Sequence, residues 1–153
     1  MDVAKIVEEI HLVLAPAVMI SSSALLLLGF QTKFSNLASR FRTLNYELRE
    51  LKKSPRKESW QGERFDSLMQ QVGHLLARAT HVKNAILLTY GAILFFLLTS
   101  VLIFLNVRSS AHVFSWWIQT SFILGLLVEF GAVLTLMIEV FLAFKVIKIE
   151  AGS

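Results

Sequence analysis

AILLTYGAILFFLLTSVLIFLNV, residues 85–107, contains no charged side chain. It reads as a helix across a bilayer, because about 20 apolar residues rising 1.5 Å each cover a hydrocarbon core about 30 Å thick. Two further blocks share this character. On the N-terminal side, His11 to Phe30 places Leu12-Val13-Leu14 before Pro16 and Leu25-Leu26-Leu27-Leu28 after it. A secretory leader would open on bases, whereas Met1 to Ile10 carries Asp2, Glu8 and Glu9 against Lys5, so this block reads as a retained span. On the C-terminal side, Trp116 to Val146 is long enough to span while tilted, and it opens on the Trp116-Trp117 pair expected at a lipid–water boundary. Its charges are Glu129, Glu139 and Lys145.

Composition points the same way. Of 153 residues 55% are hydrophobic, above the soluble range of about 45–50%, and the charges are segregated from the apolar blocks. The absence of cysteine excludes a disulfide framework, a thiolate metal site and a thiol redox pair.

Orientation follows from the bases, since cytoplasmic segments carry the excess of Lys and Arg. Residues 31–84 hold Lys33, Arg40, Arg42, Arg49, Lys52, Lys53, Arg56, Lys57, Arg64, Arg78 and Lys83, whereas Lys5 and Arg108 stand alone in the other two connections and Lys145 and Lys148 close the third span. The expected order is an outer N-terminal tail (1–10), span one (11–30), a cytoplasmic section (31–84), span two (85–107), an outer loop (108–115), span three (116–146) and a cytoplasmic tail (147–153).

Within the middle section Phe34, Leu37, Phe41, Leu44, Leu48 and Leu51 alternate three and four apart, the seam of a supercoiling helix. Ser54-Pro55 ends it. After a polar tip the pattern resumes at Phe65, Leu68, Met69, Val72, Leu75, Leu76, Ala79, Val82 and Ile86 and runs into span two. The predicted fold is therefore all-α: an integral membrane protein with three transmembrane helices, spans one and two extending into a cytoplasmic antiparallel coiled-coil hairpin. The seams pack on each other within one hairpin or are shared between subunits. Trp60, at the tip, has no evident core and could touch a membrane or a partner; a single exposed aromatic also needs no special explanation.

Leu14-Ala15-Pro16-Ala17-Val18-Met19-Ile20-Ser21-Ser22-Ser23, then a leucine-rich stretch, then Arg40-Phe41-Arg42-Thr43-Leu44-Asn45-Tyr46-Glu47 resembles a bacterial family of small three-span membrane proteins termed domain of unknown function 2721. The resemblance covers most of the chain. It implies a protein of the bacterial inner membrane and carries over no activity or catalytic residue.

Polar groups inside spans are the functional candidates, because burying them in hydrocarbon is costly and they normally face protein or water. Ser21, Ser22 and Ser23 together cover most of the helix circumference, so at least one faces away from lipid, for helix packing or for lining a path. Pro16 removes a backbone hydrogen bond and is expected to bend span one or to mark where an interfacial N-terminal helix enters the membrane. On span three Ser121, Gly125, Ala132, Thr135 and Glu139 form a stripe of small and polar residues flanked by Glu129 and Gly131, most simply a packing face. Glu139, toward the inner end, is placed to pair with Lys33 or another base of the first helix. Glu129 has no Lys or Arg at its depth in any span, which leaves it protonated, hydrogen-bonded to Ser or Thr, or open to water.

No catalytic constellation is legible. His74 and His81 share one helix face and Glu8 and His11 another, but neither pair has the ligand count of a metal site, and no phosphate loop, nucleophile elbow or carboxylate pair appears. No enzyme activity, cofactor or metal is expected. The net charge of +4 is accounted for by the middle section, whose Lys33, Arg40, Arg42, Lys52 and Lys53 face anionic headgroups or the cytoplasm rather than nucleic acid. Expected partners are the bilayer, further copies of the chain and ions. Two functions fit. One is a homo-oligomeric ion channel or transporter-like pore favouring cations, with Glu8 and Glu9 at the mouth and Ser21, Ser22, Ser23, Glu129 and Glu139 along the route. The other is a membrane-anchored scaffold or accessory subunit that recruits a partner through its basic hairpin.

Overall fold

The computed structural model describes residues 3–53, 59–108 and 114–150, with side chains placed for His11, 13–53, 62–108, 114–141, Ala143 and Phe144. Those residues form three helices, α1 (Val3–Lys53), α2 (Ser59–Arg108) and α3 (Ser115–Glu150). Each contains a stretch long and apolar enough to cross a membrane. The 51 residues of α1 make it about 75 Å long at 1.5 Å per residue, and α2 with 50 residues is its match. Both outreach the hydrocarbon core, so each must project from the bilayer at one end.

The helices extend past the expected limits of the spans. The expected tail 1–10 is helical from Val3, continuous with span one, and α1 runs through Pro16 as a single element. A proline lacks only its own N–H and clashes one turn back, which a long helix with packed flanks absorbs. Pro16 is fully buried. At the other end α3 continues through the expected tail to Glu150. Helix α1 stops at Lys53, its last turn carrying Lys52 and Lys53 against the carbonyl end of the dipole. The Ser54-Pro55 stop itself lies outside the described residues. Trp60 falls in the first turn of α2, and its side chain is likewise outside them.

The helices pack antiparallel in chain order, with α2 in the middle. Along α1 and α2, Phe30 clusters with Ala85, Leu37 with Leu75 and Val82, and the Lys52 ammonium sits 5.5 Å over the Phe65 ring. Along α2 and α3, Phe96 meets Phe122 with ring centroids 5.8 Å apart, Gly91 faces Val128, and Arg78 meets Glu139. Leu136 of α3 packs against both apolar clusters.

Burial on α2 recurs every seven residues. Leu68, Leu75, Val82, Thr89, Phe96 and Ile103 are buried, and Ala85, Ala92 and Thr99 form a second row. On α1 Pro16, Ser23, Phe30 and Leu37 keep the same spacing. A seven-residue repeat holds one seam against its partner over many turns, and here it passes from the polar-rich end into the apolar block without a shift. Of the expected seam on α1, Leu37 and Leu48 are buried, Phe41, Leu44 and Leu51 are half-buried, and Phe34 is exposed. On α2 Met69 and Leu76 are also exposed, one step off the buried row.

The outward faces of the spans carry Leu25, Leu94, Phe104, Leu127 and Phe130, each more than 60% exposed. Such a continuous apolar surface suits lipid and not water. Inside, three hydroxyls are satisfied locally: Thr89 donates to the Ala85 carbonyl at 3.0 Å, and the Thr99 and Ser121 oxygens, 3.0 Å apart, both reach the Phe95 carbonyl.

Gly125 sets the closest approach of α2 and α3. A Cβ there would meet Phe96 Cε1 at 2.7 Å, Phe96 Cδ1 at 2.9 Å and Phe95 Cβ at 3.2 Å. Phe96 is fully buried and cannot swing aside. Gly125→Ala is therefore expected to destabilise by about 1–3 kcal/mol through overpacking, read as a fall in the melting temperature of the purified protein in detergent. Gly131→Ala meets nothing within 4 Å and should hold or gain stability from the better helix propensity of alanine.

Candidate functional site

The buried polar groups between α1 and α3 are the candidate site. Both helices lie along α2 and run parallel to each other, and two acid-centred contacts join them. At one of them, Glu139 is wholly buried and ion-paired with Lys33 of α1 and with Arg78 of α2, whose Nε donates to Glu139 Oε1 at 2.9 Å. Ten residues earlier on each of α1 and α3, Ser23 faces Glu129. At 1.5 Å per residue the two contacts are about 15 Å apart along the bundle.

Their electrostatics differ. Glu139 sits six residues before Lys145, the base that closes the apolar run of α3, and two cations offset the cost of burying its charge. Glu129 lies in the middle of that stretch at 7% exposure. The polar group that faces it is the Ser23 hydroxyl, 1% exposed, and among the described residues neither carboxyl oxygen makes a full hydrogen bond. A buried carboxyl normally accepts or donates several hydrogen bonds.

Within this single chain the described residues of the expected route lie on different faces. Ser21 and Ser22 are exposed on the lipid-facing side and return their hydroxyls to the Ala17 and Val18 carbonyls at 3.1 and 3.0 Å. Ser23 alone of the three turns inward. The side chains of Glu8 and Glu9 lie outside the described residues. Glu129, expected at the edge of the small-residue stripe of α3, is buried within it together with Ser121, Gly125, Ala132 and Glu139. Arg40, Arg42, Lys52 and Lys53 are exposed. The Lys53–Glu50 pair at 3.6 Å is on the surface, where such pairs contribute little. Among the described residues no group of three His, Asp or Glu is placed to hold a metal ion.

Arg78 is the site residue that the sequence reading passed over. Its signal is positional: it falls between Leu75 and Val82, on the face of α2 that the seven-residue repeat turns inward. A base at such a position demands a buried acid, and Glu139 is the acid within reach.

Three apolar helices packed antiparallel in chain order, with Ser23, Thr89, Thr99, Ser121, Glu129 and Glu139 turned inward, define a small multi-pass α-helical membrane protein. The chain matches the family described as Protein of unknown function (DUF2721) over residues 13–149, and it belongs to that family. No curated protein and no solved structure matches it.

Proposed function

We propose that the chain is one protomer of a homo-oligomeric channel or transporter-like pore favouring cations, set in the bacterial inner membrane with its N-terminus outside and its C-terminus in the cytoplasm. The observation that carries this reading is Glu129: a carboxyl at mid-span, buried between α1 and α3, facing the Ser23 hydroxyl and with neither oxygen fully hydrogen-bonded among the described residues. An acid at that depth costs about 2.5–3.5 kcal/mol on insertion scales when charged. Leucine would pack there at no such cost. A buried acid facing a hydroxyl instead suits the transient capture of a proton or a partly dehydrated cation. Because Glu129 faces the inside of the helix trio, the path runs between α1 and α3 of each protomer, and neighbouring copies wall its outer side. Asp2, Glu8 and Glu9 raise the cation concentration at the outer end.

The alternative, a membrane-anchored scaffold or accessory subunit, draws on the projecting parts of α1 and α2, where Tyr46, Met69 and Leu76 are exposed and a partner could cover them. Flux separates the two. Purified protein in liposomes with a cation- or proton-sensitive dye should conduct, and Glu129→Gln should lower the flux by about tenfold or more, equivalent to about 1.4 kcal/mol on the barrier. The amide keeps the volume of the side chain, so assembly is retained. Absence of wild-type flux for monovalent and divalent cations at acidic and neutral pH would remove the pore and leave the scaffold.

A further inference from the structure

The Glu139 cluster holds two bases to one acid. The acid is wholly buried, whereas the Lys33 and Arg78 side chains are 31% and 28% exposed, so the surplus positive charge is on the outside of the bundle. Arg78 binds the carboxylate through Nε alone. A guanidinium has five N–H donors in a planar fork, and those on its two terminal nitrogens have no partner among the described residues. A fork with one edge committed and the other free matches the oxygens of a phosphate.

Depth identifies the source of that phosphate. Lys33 lies three residues past Phe30, where the apolar block of α1 ends, and Arg78 lies seven residues before Ala85, where the charge-free block of α2 opens, which puts both bases at the level of lipid headgroups at that face of the bilayer. Beside the cluster Met137, Ile138 and Phe141 are more than half exposed and offer a surface for acyl chains. Arg40, a heptad beyond Lys33 on the same face of α1, adds positive charge on the polar side. A free phosphate ion would use the donors but not the apolar wall.

We infer that Arg78 and Lys33 form a binding site for the phosphate of an anionic phospholipid, with Glu139 as the buried counter-ion that holds both bases in place. This site does not depend on whether the protein conducts ions. The lipid would stand across the α1–α2–α3 junction and tie the three helices together at the membrane face.

Thermal unfolding of the full-length protein in detergent, with phosphatidylglycerol, phosphatidylcholine or inorganic phosphate added, tests it. Phosphatidylglycerol is expected to raise the melting temperature, and the other two are not. Arg78→Lys keeps the charge and a donor for Glu139 but loses the fork, and it should weaken the apparent affinity for phosphatidylglycerol about tenfold, the worth of one charge-assisted hydrogen bond. Lys83→Gln removes an exposed base from the other side of α2 and should leave the affinity unchanged. Equal stabilisation by both lipids, full effect from inorganic phosphate alone, an undiminished response in Arg78→Lys, or equal losses in Arg78→Lys and Lys83→Gln would each overturn the inference.

Discussion

Replacing Lys33 and Arg78 together by methionine is expected to cost about 3–5 kcal/mol, the penalty for stranding a buried charge by removing its partners. Glu139 has no exposure of its own and contacts no other base among the described residues, so neither water nor a second cation can substitute. Each single replacement should cost less, because the remaining base stays within reach of the same carboxylate. Bases that are nearly a third exposed also keep part of their hydration, which makes loss of the acid milder than loss of both bases. Adding Glu139→Leu to the double variant should restore most of the stability, since an entire ion cluster replaced by apolar side chains is often neutral. Unfolding in detergent followed by circular dichroism reads all of these. A double variant as stable as the parent would mean that the cluster does not hold α3 to the other helices.

Leu48→Asp should be comparably damaging, at about 3–5 kcal/mol. Leu48 is 6% exposed, and the antiparallel register brings it level with Leu68, which is equally buried. An aspartate there loses the burial of a leucine and places a carboxylate in an apolar seam. Leu44→Asp, at a half-buried position, should follow with a smaller loss. Leu76→Asp is the control, because Leu76 is 56% exposed and surface substitutions stay within about 0.5 kcal/mol. Limited proteolysis of residues 32–84 in the folded protein distinguishes them: cleavage should rise sharply in Leu48→Asp and remain near the parental rate in Leu76→Asp. Unchanged resistance in Leu48→Asp would show that the projecting parts of α1 and α2 do not rely on this seam.

Which parts of this fold are legible in the residues depends on contrast between faces. Outside the apolar blocks the contrast is strong: Leu37 and Leu48 stand among Arg, Glu and Asn, so their spacing exposes the seam that the structure buries. Inside the blocks it vanishes. Phe96 and Leu94 are equally apolar, yet Phe96 is wholly buried and Leu94 is 66% exposed, because lipid accepts what the core accepts and only size and shape tell the faces apart. The seven-residue row from Val82 to Ile103 is visible only by carrying the register inward from Leu68 and Leu75. Polar residues restore contrast where they occur. Ser23, Thr99, Ser121 and Glu129 all turn inward, whereas Ser21 and Ser22 do not, since each returns its hydroxyl to the preceding turn and is as tolerable toward lipid as away from it. The placement of Arg78 against Glu139 was hidden for a different reason. It depends on the depth at which α2 and α3 cross, and short-range spacing does not encode that depth.

The orientation of the bundle rests on the asymmetry of its bases, and cysteine labelling addresses it directly, since the native chain has no cysteine. Single cysteines at Lys5, Ser59, Ser110 and Gly152 would be exposed on intact cells to a thiol reagent that cannot cross the membrane. Labelling is expected at positions 5 and 110, with 59 and 152 reacting only after the membrane is opened. Reaction at 59 from outside would place the basic section on the wrong side, and with it the proposed entrance for cations and the direction in which the Glu129 path is read.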